Sequence, residues 1–120
     1  MPIPDNTPIM IGAGQKTWHA IDTCRTPVQA LCEVGAAAIA DTGCSRLVDA
    51  IDAVAMVRFI ADTTPGIGAL FPRHPGSQLA HRLGIRDAAF FQGTIGGNTP
   101  QYLVNHFASR LARGDHSMVL

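Results

Sequence analysis

The residues best suited to chemistry lie at 96–101, where an apolar run ends and an amphipathic helix is predicted to begin. The first turn of a helix leaves backbone N–H groups without intrahelical partners and carries the positive end of the helix dipole. Gly96 and Gly97 would let a ligand approach that backbone closely. A carbonyl oxygen held there is the oxyanion arrangement of acyl transfer, which lowers a barrier by ~3 kcal/mol per donor. The predicted substrate-contacting residues are Gly96, Gly97, Asn98 and Thr99.

A second interpretation of the same residues needs no ligand. Asn98, followed three residues later by Gln101, matches a capping box, so a stable helix start explains both residues. On that basis we expect Asn98→Ala to cost ~1 kcal/mol of stability. No Cys, Ser or Lys stands at 96–101, and the residues alone leave both interpretations open.

Another candidate contact with a ligand lies in the stretch 61–76, which is rich in proline and glycine and is predicted to be a loop. Loops of this length are often functional. Arg73 and His74 could bind a phosphate or a carboxylate there, although a solvated surface pair is the commoner explanation of such residues.

The cysteines and histidines give no sign of a metal or redox centre. Cys24, Cys32 and Cys44 lack the Cys-x-x-Cys spacing of zinc and thioredoxin-like sites, and the five histidines form no His-Glu-x-x-His motif. Cys32 falls on the apolar face of a predicted helix and is expected in the core. Gly12 and Gly14 follow an apolar run, but the third glycine of a dinucleotide-binding fingerprint is missing, so a tight turn is predicted there.

The composition predicts one folded domain. The 120 residues are 47% hydrophobic and 15% charged, with no net charge, which argues against disorder, nucleic-acid binding and binding to anionic membranes. The low charge suggests a surface covered by further chain or by a partner subunit. The sequence shows no signal peptide and no apolar run of membrane length, so a cytoplasmic location with reduced thiols is expected. The apolar run at 117–120 is expected to begin a strand of a longer protein.

The order of the predicted elements is typical of an α/β sheet with helices on its faces. Strands are predicted at 9–11, 52–60 and 88–92 and from about 116, helices over 27–42, over 78–83 after Ser77 and from Asn98 onward, and loops over 16–25 and 61–76. Thr26 and Gln29 form a capping box before the first helix, with Pro27 at its first position. The strand at 52–60 is almost continuously apolar, which predicts cover on both faces.

Taken in order, these segments resemble the N-terminal part of the thiolase superfamily, and more closely the sterol-carrier-thiolase-related acetyl-CoA acetyltransferases of bacteria. Residues 9–17 are similar to the opening strand and turn of that family, and 27–43 to its first helix, which ends in Ala-Asp-x-Gly. Residues 75–85 are similar to the helix before the nucleophile strand, and 97–120 to the nucleophile helix and the next strand. The resemblance implies that residues 1–120 are the N-terminal part of a thiolase-like domain. That part would be the first half of a layered αβαβα sandwich, with a mixed sheet covered by helices and a largely buried nucleophile helix.

In that family a nucleophilic cysteine stands at the tip of the nucleophile helix, followed by a small-Ser-Gly segment. In the register of the resemblance the cysteine position falls on Gly97 and the Ser-Gly pair on Thr99 and Pro100, so the nucleophile is absent. The family's catalytic histidine and second cysteine would lie beyond Leu120.

The resemblance implies an acyl-CoA thioester as substrate or ligand and no permanently bound cofactor. Arg73 and His74, chosen above on their residue types, are candidate contacts for this ligand, and no metal is expected. It further implies a homodimer or a partner subunit, together with a C-terminal half. Two functions remain open. One is acetyl-CoA acetyltransferase-type acyl transfer in lipid metabolism, with the usual nucleophile replaced by Gly97. The other is a non-catalytic acyl-CoA-binding or assembly subunit on the same scaffold.

Overall fold

The computed structural model describes residues 1–21, 24–67 and 71–120. Its helices are α1 (Pro27–Asp41), α2 (Pro75–Leu83) and α3 (Thr99–Ala112), its strands are β1 (Ala53–Val57) and β2 (Ala89–Gly93), and 3₁₀ turns span Ser45–Ala50 and Ile60–Thr63. Strands and helices alternate as predicted from α1 onward. Parts of the two predicted loops, 22–23 and 68–70, lie outside the described residues.

β1 is the central strand of the sheet. It pairs in parallel with β2, from Ala53 opposite Ala89 to Val57 opposite Gly93. On its other side Val119 forms a parallel bridge with Ala53, where Leu120 N donates to Ala53 O at 3.0 Å and Ala55 N donates to Leu120 O at 2.8 Å, so the predicted final strand begins here. All the strand pairing among the described residues is parallel, where the resemblance implied a mixed sheet. Each connection between these strands passes through a helix, which returns the chain in the same direction.

Helices cover both faces of β1, as predicted for an almost wholly apolar strand. On one face Val54 packs with Leu79 of α2, in a cluster that α1 also joins. On the other face Ala53 packs with Leu103 and Phe107 of α3. Successive strand residues point to opposite faces, so neighbouring side chains of β1 enter two different cores. The result is a three-layer α/β arrangement, and the predicted α/β class is confirmed.

The ends of α1 and α2 follow local signals in the sequence. Gln29 N donates to Thr26 Oγ1 and Thr26 N donates to the Gln29 side chain, so the predicted capping box is confirmed. Gly43 and Gly84 adopt φ values of 72° and 77° just after the two helices. Glycine adopts this left-handed conformation without strain, which ends the helix cleanly.

The strand predicted at 9–11 is wrong. These residues pair with no strand in the described ranges, and Met10 is 78% exposed. This segment packs against α1 instead. The two backbones are so close that a β-carbon at Gly14 would lie only 2.2 Å from the carbonyl oxygen of Val34. The Gly-x-Gly pair therefore serves close packing on a helix, and not the predicted turn after a strand.

α2 starts three residues earlier than predicted. Pro75 is its first residue and His74 its N-cap, where the sequence indicated a start at 78 capped by Ser77. Proline suits the first turn because its missing N–H would have no partner there. The earlier start places Arg73 and His74 at the beginning of a helix rather than within a long loop.

β2 and α3 are less buried by the rest of the chain than predicted. Phe90 of β2 is 51% exposed and Val104 of α3 is 52% exposed. α3 buries Thr99, Leu103 and Phe107, which are spaced four residues apart and form one narrow stripe. The prediction that this helix is largely buried is therefore wrong. No helix in the described ranges is both long and apolar enough to cross a membrane.

Candidate functional site

The tip of α3 lies against the carboxyl end of β2. A β-carbon at Gly93, the last residue of β2, would lie 2.7 Å from Thr99 Cγ2, so the two elements meet closely. Thr99 is 3% exposed, and its Oγ1 lies 3.5 Å from the Oγ1 of Thr94. Ligands of open α/β sheets bind at the carboxyl ends of the strands, so the tip stands where a site is expected.

The connection between β2 and α3 leaves backbone donors open. Thr99 N donates to Gly96 O at 3.2 Å, and Tyr102 N donates to Asn98 O at 3.1 Å. The N–H groups of Gly97 and Asn98 donate to no residue that the structure describes. They lie at the positive end of the α3 dipole, where an oxygen with partial negative charge is stabilised.

The four residues predicted to contact a substrate are brought together in this one turn. A β-carbon at Gly96 would lie 3.0 Å from Asn98 Oδ1 and 3.2 Å from Thr99 Oγ1, so both side-chain oxygens lie close to Gly96. Thr99 is buried and supports the turn, whereas Gly97 and Asn98 are exposed. The exposed pair is the part of the turn that a ligand can reach.

Gly97 is not required by the backbone. Its φ lies outside the left-handed region, and a β-carbon there would have no neighbouring atom within 4 Å. The tip can therefore carry a side chain. Crowding therefore does not explain the glycine at this position.

Asn98 does not cap α3 in the predicted way. Its backbone is helical, with φ −90° and ψ −10°, and its side chain makes no hydrogen bond to the helix start. Gln101 Nε2 donates to Asn105 Oδ1 at 3.0 Å and does not reach back to Asn98. A capping residue needs an extended backbone to aim its side chain at the first turn. The predicted capping box is therefore wrong, and the side-chain amide of Asn98 remains available to a ligand.

A cavity of about 400 Å³ adjoins the tip of α3. Thr94, which contacts Thr99, lines it together with side chains at the carboxyl ends of both strands. Its polar lining residues are Arg58, Asp62, Arg73, Gln92 and Thr94. Arg73 thus lines the cavity next to the tip, which none of the residues 96–99 lines. His74 lines a neighbouring cavity of about 360 Å³ that shares Arg73.

Arg58 was not among the predicted contacts. It directly follows β1, and its Nε donates to both carboxylate oxygens of Asp62, at 3.0 and 2.9 Å. These bonds hold its guanidinium at the cavity wall. The sequence placed it inside the strand predicted at 52–60, and only the observed end of β1 at Val57 puts it at the carboxyl end of the strand, where ligand sites form.

Farther along α3 a stack of rings surrounds a histidine. His106 stacks on Phe91 and on Tyr102, with ring centres 5.2 and 5.7 Å away. Arg110 Nε donates to His106 Nε2 at 3.1 Å, which uses that nitrogen as an acceptor. His106 therefore belongs to the packing between α3 and β2.

The cysteines lie elsewhere. Cys32 packs against the core near α2, and burial raises the pKa of its thiol, an effect that Arg82 partly offsets. Cys24 and Cys44 are exposed. The cavity beside α3 is lined by no thiol of the described chain. Within the same residues no group of three or more His, Cys, Asp or Glu side chains could hold a metal ion.

The three layers, with a helix tip at the carboxyl end of a parallel strand, define an α/β unit. Over 96% of its length the chain is similar to the crystal structure of a monomeric SCP2-thiolase like protein type 1 from Mycobacterium smegmatis, with a TM-score of 0.75 and 26% sequence identity. The match covers 22% of that protein, so this chain spans about a fifth of its length. No family model matches the chain, and neither does any curated protein. The chain has a thiolase-like fold, and the resemblance read from its sequence is confirmed.

Proposed function

We propose that this chain is an acyl-CoA-binding, thiolase-like unit that holds a thioester carbonyl at the tip of α3. The observation that carries the proposal is the pair of open N–H groups on Gly97 and Asn98 at the positive end of the helix. Two such donors match the acceptor and partial charge of a thioester oxygen. The likeness to an SCP2-thiolase like protein supports an acyl-CoA as the class of ligand, and no permanently bound cofactor is needed.

Gly97 favours binding over acyl transfer. In thiolase-type transfer a thiolate attacks the thioester carbon, CoA leaves as its thiol, and the acyl group stays on the protein as a new thioester. Gly97 has no side chain that could form this bond, and no described thiol lines the adjoining cavity. We therefore favour a non-catalytic acyl-CoA-binding or assembly unit. Acetyl-CoA acetyltransferase-type transfer is the alternative, and it would need a nucleophile from elsewhere than position 97.

The proposed unit works with further polypeptide, in the cytoplasm and in lipid metabolism. The chain spans 22% of the similar protein. Half-exposed apolar side chains such as Phe90 and Val104 offer surface for an additional part to cover. Because the similar protein is described as monomeric, we favour a C-terminal part of thiolase type over a homodimer as that polypeptide.

Isothermal titration calorimetry with acetyl-CoA and with S-ethyl-CoA, which lacks the carbonyl, tests the proposed contact. Acetyl-CoA should bind ~5-fold more tightly, which corresponds to about one net hydrogen bond. Asn98→Pro removes an N–H donor and should abolish most of this difference, whereas Asn98→Ala keeps the donor and should preserve it. Equal Kd values of the two ligands for the unsubstituted chain would overturn the proposal.

Intact-protein mass spectrometry separates the two functions. After incubation with acetyl-CoA, an unchanged protein mass beside measurable binding supports the non-catalytic unit. A mass increase of one acetyl group that survives gel filtration supports acyl transfer instead. Peptide mapping would then identify the residue that replaces the missing cysteine.

A further inference from the structure

The cavity beside the tip of α3 is formed where β1 and β2 end together. Arg58 follows the last residue of β1, and Gln92 and Gly93 end β2. Parallel strands place their carboxyl ends at the same edge of a sheet, so side chains from both strands share one space. A neutral thioester carbonyl does not need a positively charged partner, so the proposed function does not explain the arginines that line this cavity.

Arg58 is oriented before any ligand arrives. Its Nε donates to both oxygens of Asp62, whose side chain is only 19% exposed. The terminal amino groups of Arg58 make no hydrogen bond within the described ranges and remain available as donors. A guanidinium held in this way loses less side-chain freedom on binding than a mobile one.

Arg73 lines the same cavity without a partner. It is exposed, and no acceptor in the part of the chain that the structure describes receives a hydrogen bond from it. Phe71 packs its ring on that of Phe59, with centres 5.6 Å apart, which keeps this segment beside the end of β1. With Asp62 counted, the charged lining of the cavity has an excess of one positive charge.

We infer that this cavity binds an anionic group, a phosphate or a carboxylate, through Arg58 and Arg73. The planar N–H pairs of arginine suit both groups. Thr94 lines the cavity and its hydroxyl lies 3.5 Å from that of Thr99, so the anion site adjoins the tip of α3. The identity of the ligand rests on the proposed function: the anion is part of the same acyl-CoA. It is either a phosphate of CoA or a carboxylate at the far end of the acyl group.

Inorganic pyrophosphate tests the site without any thioester. Its Kd for the intact chain can be measured by NMR titration at low salt, and Arg73→Gln should raise it at least ~5-fold. Arg86→Gln is the matched control, because Arg86 is exposed and precedes the amino end of β2, at the opposite edge of the sheet. Equal effects of the two substitutions, or the absence of saturable pyrophosphate binding, would overturn the inference.

Thioesters that differ in charge identify the source of the anion. If Arg73 binds a phosphate of CoA, Arg73→Gln should weaken the binding of acetyl-CoA and leave that of S-acetylpantetheine, which has no phosphate, unchanged. If Arg73 binds a carboxylate, the substitution should weaken succinyl-CoA more than acetyl-CoA. Pyrophosphate binding that depends on Arg73, together with equal Kd values for acetyl-CoA and S-ethyl-CoA, would overturn the proposed function alone. Binding of every thioester without dependence on Arg73 would overturn the anion site alone.

Discussion

The guanidinium carbon of Arg25 lies 5.0 Å from the centre of the Trp18 ring, and Lys16 Nζ lies 5.7 Å from the same centre. Both cations also donate to the carboxylate of Glu33 in α1, with Arg25 Nε at 3.0 Å from Oε1. Cation–π contact and charge pairing thus tie the segment before α1 to that helix. Trp18 is the single tryptophan of the sequence, so its fluorescence reports on this cluster.

Acid should loosen the cluster around Trp18. The hydrogen bond from Lys16, and after it that from Arg25, hold the pKa of Glu33 below its ordinary value of 4.5. A carboxylate with a lowered folded-state pKa adds stability above its unfolded pKa, and this stability is lost as the pH falls through the lowered value. In urea unfolding followed by Trp18 fluorescence, the free energy of unfolding should therefore fall below about pH 4.5. Glu33→Gln should show a shallower fall.

Asp49→Asn serves as the control for this titration. Asp49 is exposed in the Ser45–Ala50 turn and accepts no hydrogen bond from a described residue. Its substitution should leave the acid dependence of the unsubstituted chain intact. An identical acid slope in Glu33→Gln and in the unsubstituted chain would contradict the assignment to Glu33.

The two helix starts should respond differently to alanine. Thr26 makes its capping bond, so Thr26→Ala should lower the free energy of unfolding by ~1 kcal/mol. Asn98 makes none, so Asn98→Ala should change it by less than ~0.5 kcal/mol, as an ordinary surface substitution does. This replaces the loss expected for Asn98 from the sequence alone. Urea unfolding of both variants decides the matter, and a larger loss for Asn98→Ala than for Thr26→Ala would contradict the observed geometry.

Gly97→Cys should create a reactive thiol. The position has open space and an ordinary backbone, and the open N–H groups at the tip of α3 would stabilise a thiolate. At about pH 6.5, below the ordinary thiol pKa of about 8.5, iodoacetamide should alkylate the introduced thiol several-fold faster than Cys44. Peptide mass spectrometry measures both rates in one sample. Gly97→Ser controls for side-chain size, and equal alkylation rates would mean that the tip does not stabilise negative charge.

Adjacent residues of α3 offer a matched test of packing. Leu103 is buried against Ala53 of β1, and Leu103→Ala should cost ~2–5 kcal/mol. Val104 is half exposed, and Val104→Ala should cost less than ~1 kcal/mol. Thermal and urea unfolding compare the two variants. Similar losses would mean that further chain or a partner covers the Val104 face in solution.

The elements that the sequence predicts well have local signals. Thr26 and Gln29 specify the start of α1 through bonds between near neighbours, and the apolar run of β1 requires cover on both faces whatever packs there. The strand predicted at 9–11 fails because an apolar run becomes a strand only when another strand pairs with it. That pairing depends on the position of α1, on which Gly14 packs, and the run itself carries no information about it.

Some features of the candidate site could likewise be predicted from local sequence signals, and others could not. The tip could be found because a glycine pair, a strand end and a helix start occur together in the sequence. The role of Asn98 could not be predicted, because its residue type fits a capping residue while its backbone dihedrals do not. Arg58 and Thr94 are far apart in the chain and become neighbours only through the pairing of β1 with β2.

β2 pairs with β1 along one edge, and within the described ranges its other edge has no partner. An open edge beside the half-exposed ring of Phe90 can accept a strand from another polypeptide through backbone hydrogen bonds. Gln92 stands on the same strand and lines the cavity between β1 and β2, so an added strand would bring a foreign backbone to the mouth of that cavity. If such a strand changes the affinity of the cavity for its ligand, the ligand must change the affinity for the strand by the same factor.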